Sequence, residues 1–157
     1  MGFALSDMQV TSSGFETLGR MPARYAVEGD NLSPPLAWSG APAGTQAFAV
    51  MCHDPDAPLV KPGVYGFVHW VLYDLPGSIS GLAEGTEEGT AGVTDFGSTG
   101  YGGPNPPEGH GPHQYYFWVL ALDQRLGLEP GLTLWQFLDR AEPHILGMNR
   151  IVGVYER

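Results

Sequence analysis

The stretch at residues 101–119 reads YGGPNPPEGHGPHQYYFWV, a segment crowded with Gly and Pro that turns directly into an aromatic run. Pro fixes φ and Gly permits positive φ, so the first part can hold one loop shape and present backbone N–H groups. The aromatic part is typical of a buried strand. His113 and Tyr115 lie two residues apart at its start, so we expect them on one face, as half of a rigid pocket wall, with Gln114 on the other.

In the rest of the sequence, turn residues also alternate with short apolar segments. Its 23 Gly and 14 Pro residues recur too often for a helical protein, so we predict a mainly β fold. The predicted strands, each central in a sheet or buried on both faces, are 47–53, 66–75, 115–122 and 150–156.

One helix is predicted in this β protein. Thr133 and Gln136 form a Thr-x-x-Gln capping box, and Pro143 should kink the helix or begin a second short one. The segment 80–100 is acidic and rich in Gly, and we interpret it as a surface connection.

Composition limits the class of protein. With 157 residues, 43% hydrophobic and 15% charged, the chain is predicted to form one globular domain over residues 1–157. A formal net charge of −10, with Lys61 as the one lysine, argues against binding nucleic acid or anionic membrane surfaces. The single Cys52 allows no internal disulfide, and no apolar run reaches the roughly 20 residues of a membrane-spanning helix. We expect a cytoplasmic protein without stable membrane insertion.

The segment HDPDAP at 53–58 places Asp54 and Asp56 on a Pro-containing turn at the end of a predicted strand, where sites are often built. The simpler interpretation of Asp54 is that it caps its own turn. A calcium loop is not expected, because Ala57 and Pro58 stand where a third oxygen ligand and a Gly are required.

The histidines are ambiguous by themselves. His69, inside an apolar strand, is more typical of a hydrogen-bonded core histidine than of a catalyst. His110 and His113 form a His-x-x-His pair that, with His69 or an Asp, could suggest zinc or iron, but only His113 shares the parity of Tyr115. No metal and no cofactor is predicted. The sequence also lacks a Walker loop, a nucleophile elbow and a dinucleotide fingerprint.

Three motifs in order, DPDAP at 54–58, HW at 69–70 and GPNPPEGHGPHQYYFW at 103–118, resemble the phosphatidylethanolamine-binding protein (PEBP) family. The resemblance is strongest to its bacterial and archaeal branch, often called Raf-kinase-inhibitor-like. It extends to NLSPPLAWSGAP at 31–42 and HILGMNRIVGVYER at 144–157, and so to nearly the whole chain. It implies a large central antiparallel sheet packed against a smaller sheet with a few short helices, and an anion-accepting pocket at one end of the central sheet.

The resemblance also implies the pocket residue by residue, with the DPDAP segment on one side, His69 as the floor and the Gly/Pro loop on the other. Phe67 stands at the pocket edge, where many eukaryotic members have Trp. The implied ligand-binding residues are Asp54, Asp56, Ala57, Pro58, Phe67, His69, Gly103, Pro106, Pro107, Gly109, His110, Gly111, His113 and Tyr115.

Residue chemistry then suggests what such a pocket binds. Imidazole N–H groups, a Tyr hydroxyl and loop amides can donate to phosphate oxygens without any lysine. Asp54 would orient an imidazole or receive the ammonium of an ethanolamine-like head group, and the first role is favoured.

The sequence therefore predicts a regulatory binding protein, not an enzyme, for phosphate or a phosphoethanolamine-like group. One alternative is an inhibitor of a kinase or protease that acts through its protein surface. Another is a hydrolase with His113 as general base, oriented by Asp54. The prokaryotic relatives further imply a homodimer.

Overall fold

A computed structural model describes residues 5–57, 60, 62 and 64–157 of the chain. The strands in this part of the chain are β1 (Gln9–Thr11), β2 (Leu36–Ser39), β3 (Ala47–Asp54), β4 (Phe67–Pro76), β5 (Gly81–Leu82), β6 (Thr90–Ala91), β7 (His113–Leu122) and β8 (Ile145–Tyr155). They are joined by the helix α1 (Leu134–Ala141) and by short 3₁₀ turns at Ala23–Tyr25 and Glu142–His144.

The strands form two antiparallel sheets. The larger sheet has the order β6-β4-β3-β7-β8, and the smaller one has the order β1-β2-β5. The predicted mainly β fold, with a large central sheet and a smaller one, is confirmed. The four predicted strands are β3, β4, β7 and β8, although β8 begins five residues earlier than expected, at Ile145.

The interpretation of residues 80–100 as a surface connection is incomplete. This segment contributes β5 to the small sheet and β6 to the edge of the large one. Both strands are only two residues long, too short for a periodic pattern to reveal them in the sequence.

The central sheet is covered on both faces, as its nearly continuous apolar strands predicted. Every residue of β3 except His53 is buried. The small sheet covers one face, where the rings of Trp38 and Phe48 lie 5.2 Å apart, and α1 covers the other, where Phe137 stacks on Tyr73 at 5.1 Å. Burial of each such side chain contributes about 1.5–3 kcal/mol to folding.

The helix α1 begins at the predicted capping box. The hydroxyl of Thr133 accepts a hydrogen bond from the backbone N–H of Gln136, whose side chain accepts one from the backbone N–H of Thr133. The helix ends at Ala141, and Pro143 lies in the 3₁₀ turn that follows. No helix in the described ranges is long and apolar enough to cross a membrane.

Candidate functional site

Antiparallel pairing brings distant parts of the sequence together at one end of the central sheet. Asp54, the last residue of β3, pairs with Phe67 at the start of β4, and His53 pairs with Tyr116 near the start of β7. The end of one strand therefore meets the beginnings of both its neighbours. This arrangement places His113 beside Asp54, although 59 positions separate them in the sequence.

A cavity of about 300 Å³ opens at this end of the sheet. That volume is at the lower limit of ordinary ligand pockets and suits a small chemical group better than a whole large ligand. The residues that line it are Asp54, Ala57, Val60, Phe67, His69, Phe96, Asn105, Pro106, Pro107, His113 and Tyr115.

The structure brings eight of the predicted site residues to the cavity wall and places others outside it. Those at the cavity are Asp54, Ala57, Phe67, His69, Pro106, Pro107, His113 and Tyr115. Those that do not line it are Asp56, Gly103, Gly109, His110 and Gly111. Pro58 lies outside the described residues.

Several residues outside the wall hold it in place. The carboxylate of Asp56 accepts a hydrogen bond from the backbone N–H of Gln114 at 2.7 Å and so fixes the start of β7. The N–H of Gly103 donates to the side chain of Asn31 at 2.8 Å, and that of Gly109 donates to the Arg157 carbonyl at 3.0 Å. These two loop amides, expected to face a ligand, are thus used within the protein.

Asp54 and His113 form a buried hydrogen-bonded pair, each about 2% exposed. Nδ1 of His113 donates to one carboxylate oxygen of Asp54 at 2.7 Å, and the backbone N–H of Asp56 donates to the other at 2.8 Å. Asp54 therefore both caps its own turn and orients the imidazole, the two roles that the sequence suggested separately.

The chain of hydrogen bonds continues to the surface. Nε2 of His113 lies 2.7 Å from Nδ1 of the exposed His110, so one proton is shared between these two ring nitrogens. Nitrogens at this distance are hydrogen-bonded to each other and leave no space for an ion between them. Within the described residues, no cluster of three or more His, Cys, Asp or Glu side chains is arranged to hold a metal ion.

A β-bulge turns His69 toward the cavity. Cys52 pairs with Trp70 but His53 pairs with Val68, so His69 is the extra residue on β4. Such a bulge lets consecutive side chains leave the regular alternation of faces. His69 at the cavity and Trp70 in the core beneath the small sheet accordingly lie on the same face, while Val68 packs beneath α1.

His69 is neutral at physiological pH. Its Nδ1 donates a hydrogen bond to the carbonyl of Gly102 at 2.7 Å, and its ring is 4% exposed. Burial is the main cause that lowers its pKa from 6.5 to about 4, against the opposing effect of the Gly102 carbonyl and the Asp54 carboxylate. The imidazole was expected to donate an N–H to an anion. Its Nδ1 proton is instead already donated to a backbone carbonyl.

Tyr115 presents a buried hydroxyl to the site. Its side chain is fully buried and lines the cavity. The hydroxyl makes no hydrogen bond of standard geometry within the described part of the chain, and the Asp54 carboxylate is near enough for only a weak one. Burial first, and then Asp54, raise the pKa of Tyr115 well above its usual value, so the group remains an O–H donor.

Phe96 and Val60 also line the cavity but were missed in the sequence, and Asn105 lines it from the Gly/Pro loop, which the resemblance implied as a whole. The Phe96 ring lies 4.7 Å from that of Phe67 and 5.4 Å from that of His69. A Cβ on Gly102 would come within 2.4 Å of the Phe96 ring, so this contact requires Gly at that position. The sequence feature that could have indicated Phe96 is its position as a lone aromatic residue in an acidic, Gly-rich segment.

Comparison with known proteins links this chain to one family. The sequence model of the family described as phosphatidylethanolamine-binding protein matches residues 11–156. A UPF0098 protein of Methanothermobacter thermautotrophicus is 38% identical over 96% of the chain and 99% of its own length. YbhB of Escherichia coli, another UPF0098 protein, is 38% identical over 80% of the chain and 85% of its own length.

Solved structures show the same relationship. A PEBP homologue from Chlamydia trachomatis is 34% identical, with a TM-score of 0.88 over 96% of this chain and 97% of that one. YbcL of Escherichia coli, described as a member of the mammalian PEBP family, is 30% identical, with a TM-score of 0.87 over 97% and 99% of the two chains.

Proposed function

The chain belongs to the phosphatidylethanolamine-binding protein family, and from that premise we propose that its cavity binds the anionic end of a small ligand, a phosphate or a phosphorylated head group. The observation that carries this proposal is the buried hydroxyl of Tyr115, which makes no hydrogen bond of standard geometry in the described residues and has only the nearby Asp54 carboxylate as a weak partner. A buried donor without a partner costs about 1–3 kcal/mol. An oxygen acceptor from a ligand would remove that cost.

The Asp54–His113 pair supplies the second interaction. Because Asp54 accepts the Nδ1 proton of His113, any further proton on this ring resides at Nε2. An anionic oxygen at Nε2 would favour the protonated imidazole, and the Asp54 carboxylate would offset its charge in the buried site. The anion would reach Nε2 by displacing His110, which now occupies it.

The cavity is also suited to an organic group attached to the anion. Its lining includes five apolar side chains, which are Phe67, Phe96, Pro106, Pro107 and Val60. Apolar walls gain little from a bare inorganic ion but exclude water around the carbon atoms of an ester. We therefore favour a phosphate ester over inorganic phosphate.

Binding, not catalysis, is the proposed role. None of the described lining residues is Ser, Thr or Cys, the usual hydroxyl and thiol nucleophiles. The Asp54–His113 pair has the geometry of an oriented general base, which keeps ester hydrolysis by activated water as the alternative. Turnover of aryl phosphate and aryl carboxylate esters, lost in His113→Ala, would establish that alternative.

A regulatory role follows if the ligand is carried by a partner protein. A phosphorylated side chain of a kinase or another protein would present the same anionic group to the cavity. If instead the protein inhibits a kinase or protease through its surface, variants of the cavity would leave that inhibition unchanged.

The proposal is tested by calorimetric titration with phosphoethanolamine and with methyl phosphate near pH 6. Tyr115→Phe removes the unpartnered donor and should weaken binding about tenfold while leaving the thermal unfolding temperature unchanged or raised. Tyr116→Phe is the matched control, because this residue lies on the same strand, and its hydroxyl bonds to Gln114 outside the cavity. Absence of binding to either ligand, or equal binding by Tyr115→Phe, would overturn the proposal.

A further inference from the structure

His69 offers the cavity a hydrogen-bond acceptor. A backbone carbonyl can only accept, so the bond to Gly102 requires the proton at Nδ1. In the neutral ring, Nε2 then carries a lone pair. Nε2 makes no hydrogen bond of standard geometry to the described residues, although the Gly103 backbone also lies near enough to the ring to raise its pKa slightly, and the ring lines the cavity.

The surroundings of His69 keep the ring neutral. Rings of three neighbours enclose it, with centroids at 4.8 Å for Phe67, 5.4 Å for Phe96 and 5.1 Å for Tyr115. This enclosure disfavours an imidazolium and lowers the pKa of His69 to about 4.

Titratable groups face His69 from β3, from β7 and from the loop that carries Phe96. From β3, Asp54 favours the charged ring, and His53 opposes it. From β7, Tyr115 packs against the ring, and His113 lies beyond Tyr115 at 6.4 Å between ring centroids. On the loop that carries Phe96, the carboxylate of Asp95 accepts from the backbone N–H of Val68.

We propose that the cavity selects a singly ionised oxyacid group that still carries one O–H, such as the monoanion of a phosphate monoester. Nε2 of His69 accepts that O–H, and the hydroxyl of Tyr115 donates to an ionised oxygen of the same group. This inference rests on the proposed function and deepens it, since it specifies the protonation state of the ligand.

The same arrangement rejects related anions. A phosphate dianion, a phosphodiester or a sulfate has no O–H, so an anionic oxygen would face the lone pair of Nε2 without a proton between them. A second negative charge would also meet the Asp54 carboxylate, and the described lining residues include no Arg or Lys. The specificity for a protonated group therefore depends on the acceptor, Nε2 of His69, as much as on the hydrogen-bond donors.

The test compares two tetrahedral monoanions of similar shape, of which only one carries an O–H. At about pH 5.5, methyl phosphate is mostly a monoanion with one O–H, because its second pKa is roughly 6. Methyl sulfate carries the same single charge and no O–H. By calorimetric titration, we expect methyl phosphate to bind at least about tenfold more tightly than methyl sulfate, since the latter leaves buried groups unpaired.

The pH dependence of methyl phosphate binding provides a second test. Between about pH 5.5 and 7.5, the monoanion fraction of methyl phosphate falls roughly twentyfold, and its apparent affinity should fall with it. Methyl sulfate does not titrate in this range, so any change in its binding reports the protein and not the ligand, and it is subtracted. An affinity for methyl phosphate that stays constant or rises with pH would contradict the proposal.

A substitution of His69 tests the contribution of the Nε2 acceptor separately. In His69→Asn, the side-chain amide can still donate to the Gly102 carbonyl, but the acceptor at the position of Nε2 is absent. This variant should bind methyl phosphate and methyl sulfate within about twofold of each other. Should it fail to fold, the comparison of the two ligands on the parent protein still decides the proposal.

The outcomes separate this inference from the proposed function. Equal binding of methyl sulfate and methyl phosphate by the parent would leave an anion-binding cavity and overturn the selection of a protonated group. Binding of neither ligand at either pH would overturn both.

Discussion

Nδ1 of His110 lies 2.7 Å from Nε2 of His113, so an exposed imidazole occupies the one ring nitrogen that the bond to Asp54 leaves available. Gly109 and Gly111 flank His110 with φ of 73° and 95°, and a Cβ on either would meet no atom within 4 Å. The histidine is therefore held by a segment with space on both sides. Its side chain acts as an internal competitor for the ligand proposed above.

Removal of that competitor should strengthen binding. In His110→Ala, a ligand reaches Nε2 of His113 without breaking a hydrogen bond, which has a net value of about 1 kcal/mol, so Kd for methyl phosphate should fall about fivefold. Calorimetric titration measures the change. His144→Ala is the control, because this histidine bonds to Asp123 away from the cavity. Weaker binding by His110→Ala would show instead that His110 contacts the ligand directly.

The Asp54 carboxylate should contribute to stability as well as to the site. Asp54→Asn replaces a buried charged acceptor that receives hydrogen bonds from His113 and from the N–H of Asp56. We expect the free energy of unfolding to fall by about 2 kcal/mol, as measured by urea denaturation. Asp139→Asn, at an exposed position on α1, should change it by less than about 0.5 kcal/mol. A loss as small as that of the control would mean that the buried pair contributes little to folding.

The buried His69 should make the protein sensitive to acid. Its pKa is about 4 in the folded state and 6.5 as the reference value, so the unfolded state binds more protons between these values. Stability should therefore fall as the pH decreases from about 6.5 to 4, by about 3 kcal/mol from this group. Urea denaturation over this range should show a shallower pH slope for His69→Asn than for the parent. The prediction fails if the two slopes are equal.

Gly103 should tolerate no side chain. A Cβ there would lie 2.1 Å from the Tyr25 carbonyl oxygen and 2.9 Å from the side-chain oxygen of Asn31, so the backbone would have to move. Gly103→Ala should lower the free energy of unfolding by about 3 kcal/mol and weaken ligand binding. Gly109→Ala is the matched comparison. Its added Cβ meets no atom, so the free energy of unfolding should fall by only about 1 kcal/mol, because of the positive φ. Thermal unfolding that shows equal costs would contradict this assignment.

Much of the fold was predictable because it depends on local patterns. Continuous apolar runs identified β3, β4, β7 and β8, and the capping box located the start of α1. The two-residue strands β5 and β6 were not predictable, since only pairing with neighbours defines them. The motifs likewise identified most of the cavity wall, but not Phe96, which reaches the site through a loop.

The sequence alone determined which chemical groups are present at the site and, through the parity of β7, that His113 and Tyr115 share a face. It could not determine which of their atoms are free, because hydrogen-bond partners 33 to 59 positions apart are set only by tertiary contacts. The bulge that aims His69 at the cavity and the carbonyl of Gly102 that fixes its tautomer likewise depend on residues that only the tertiary structure brings together. Burial then decides charge, because removing water from an imidazole penalises its protonated form, and only the folded structure sets how much water is removed.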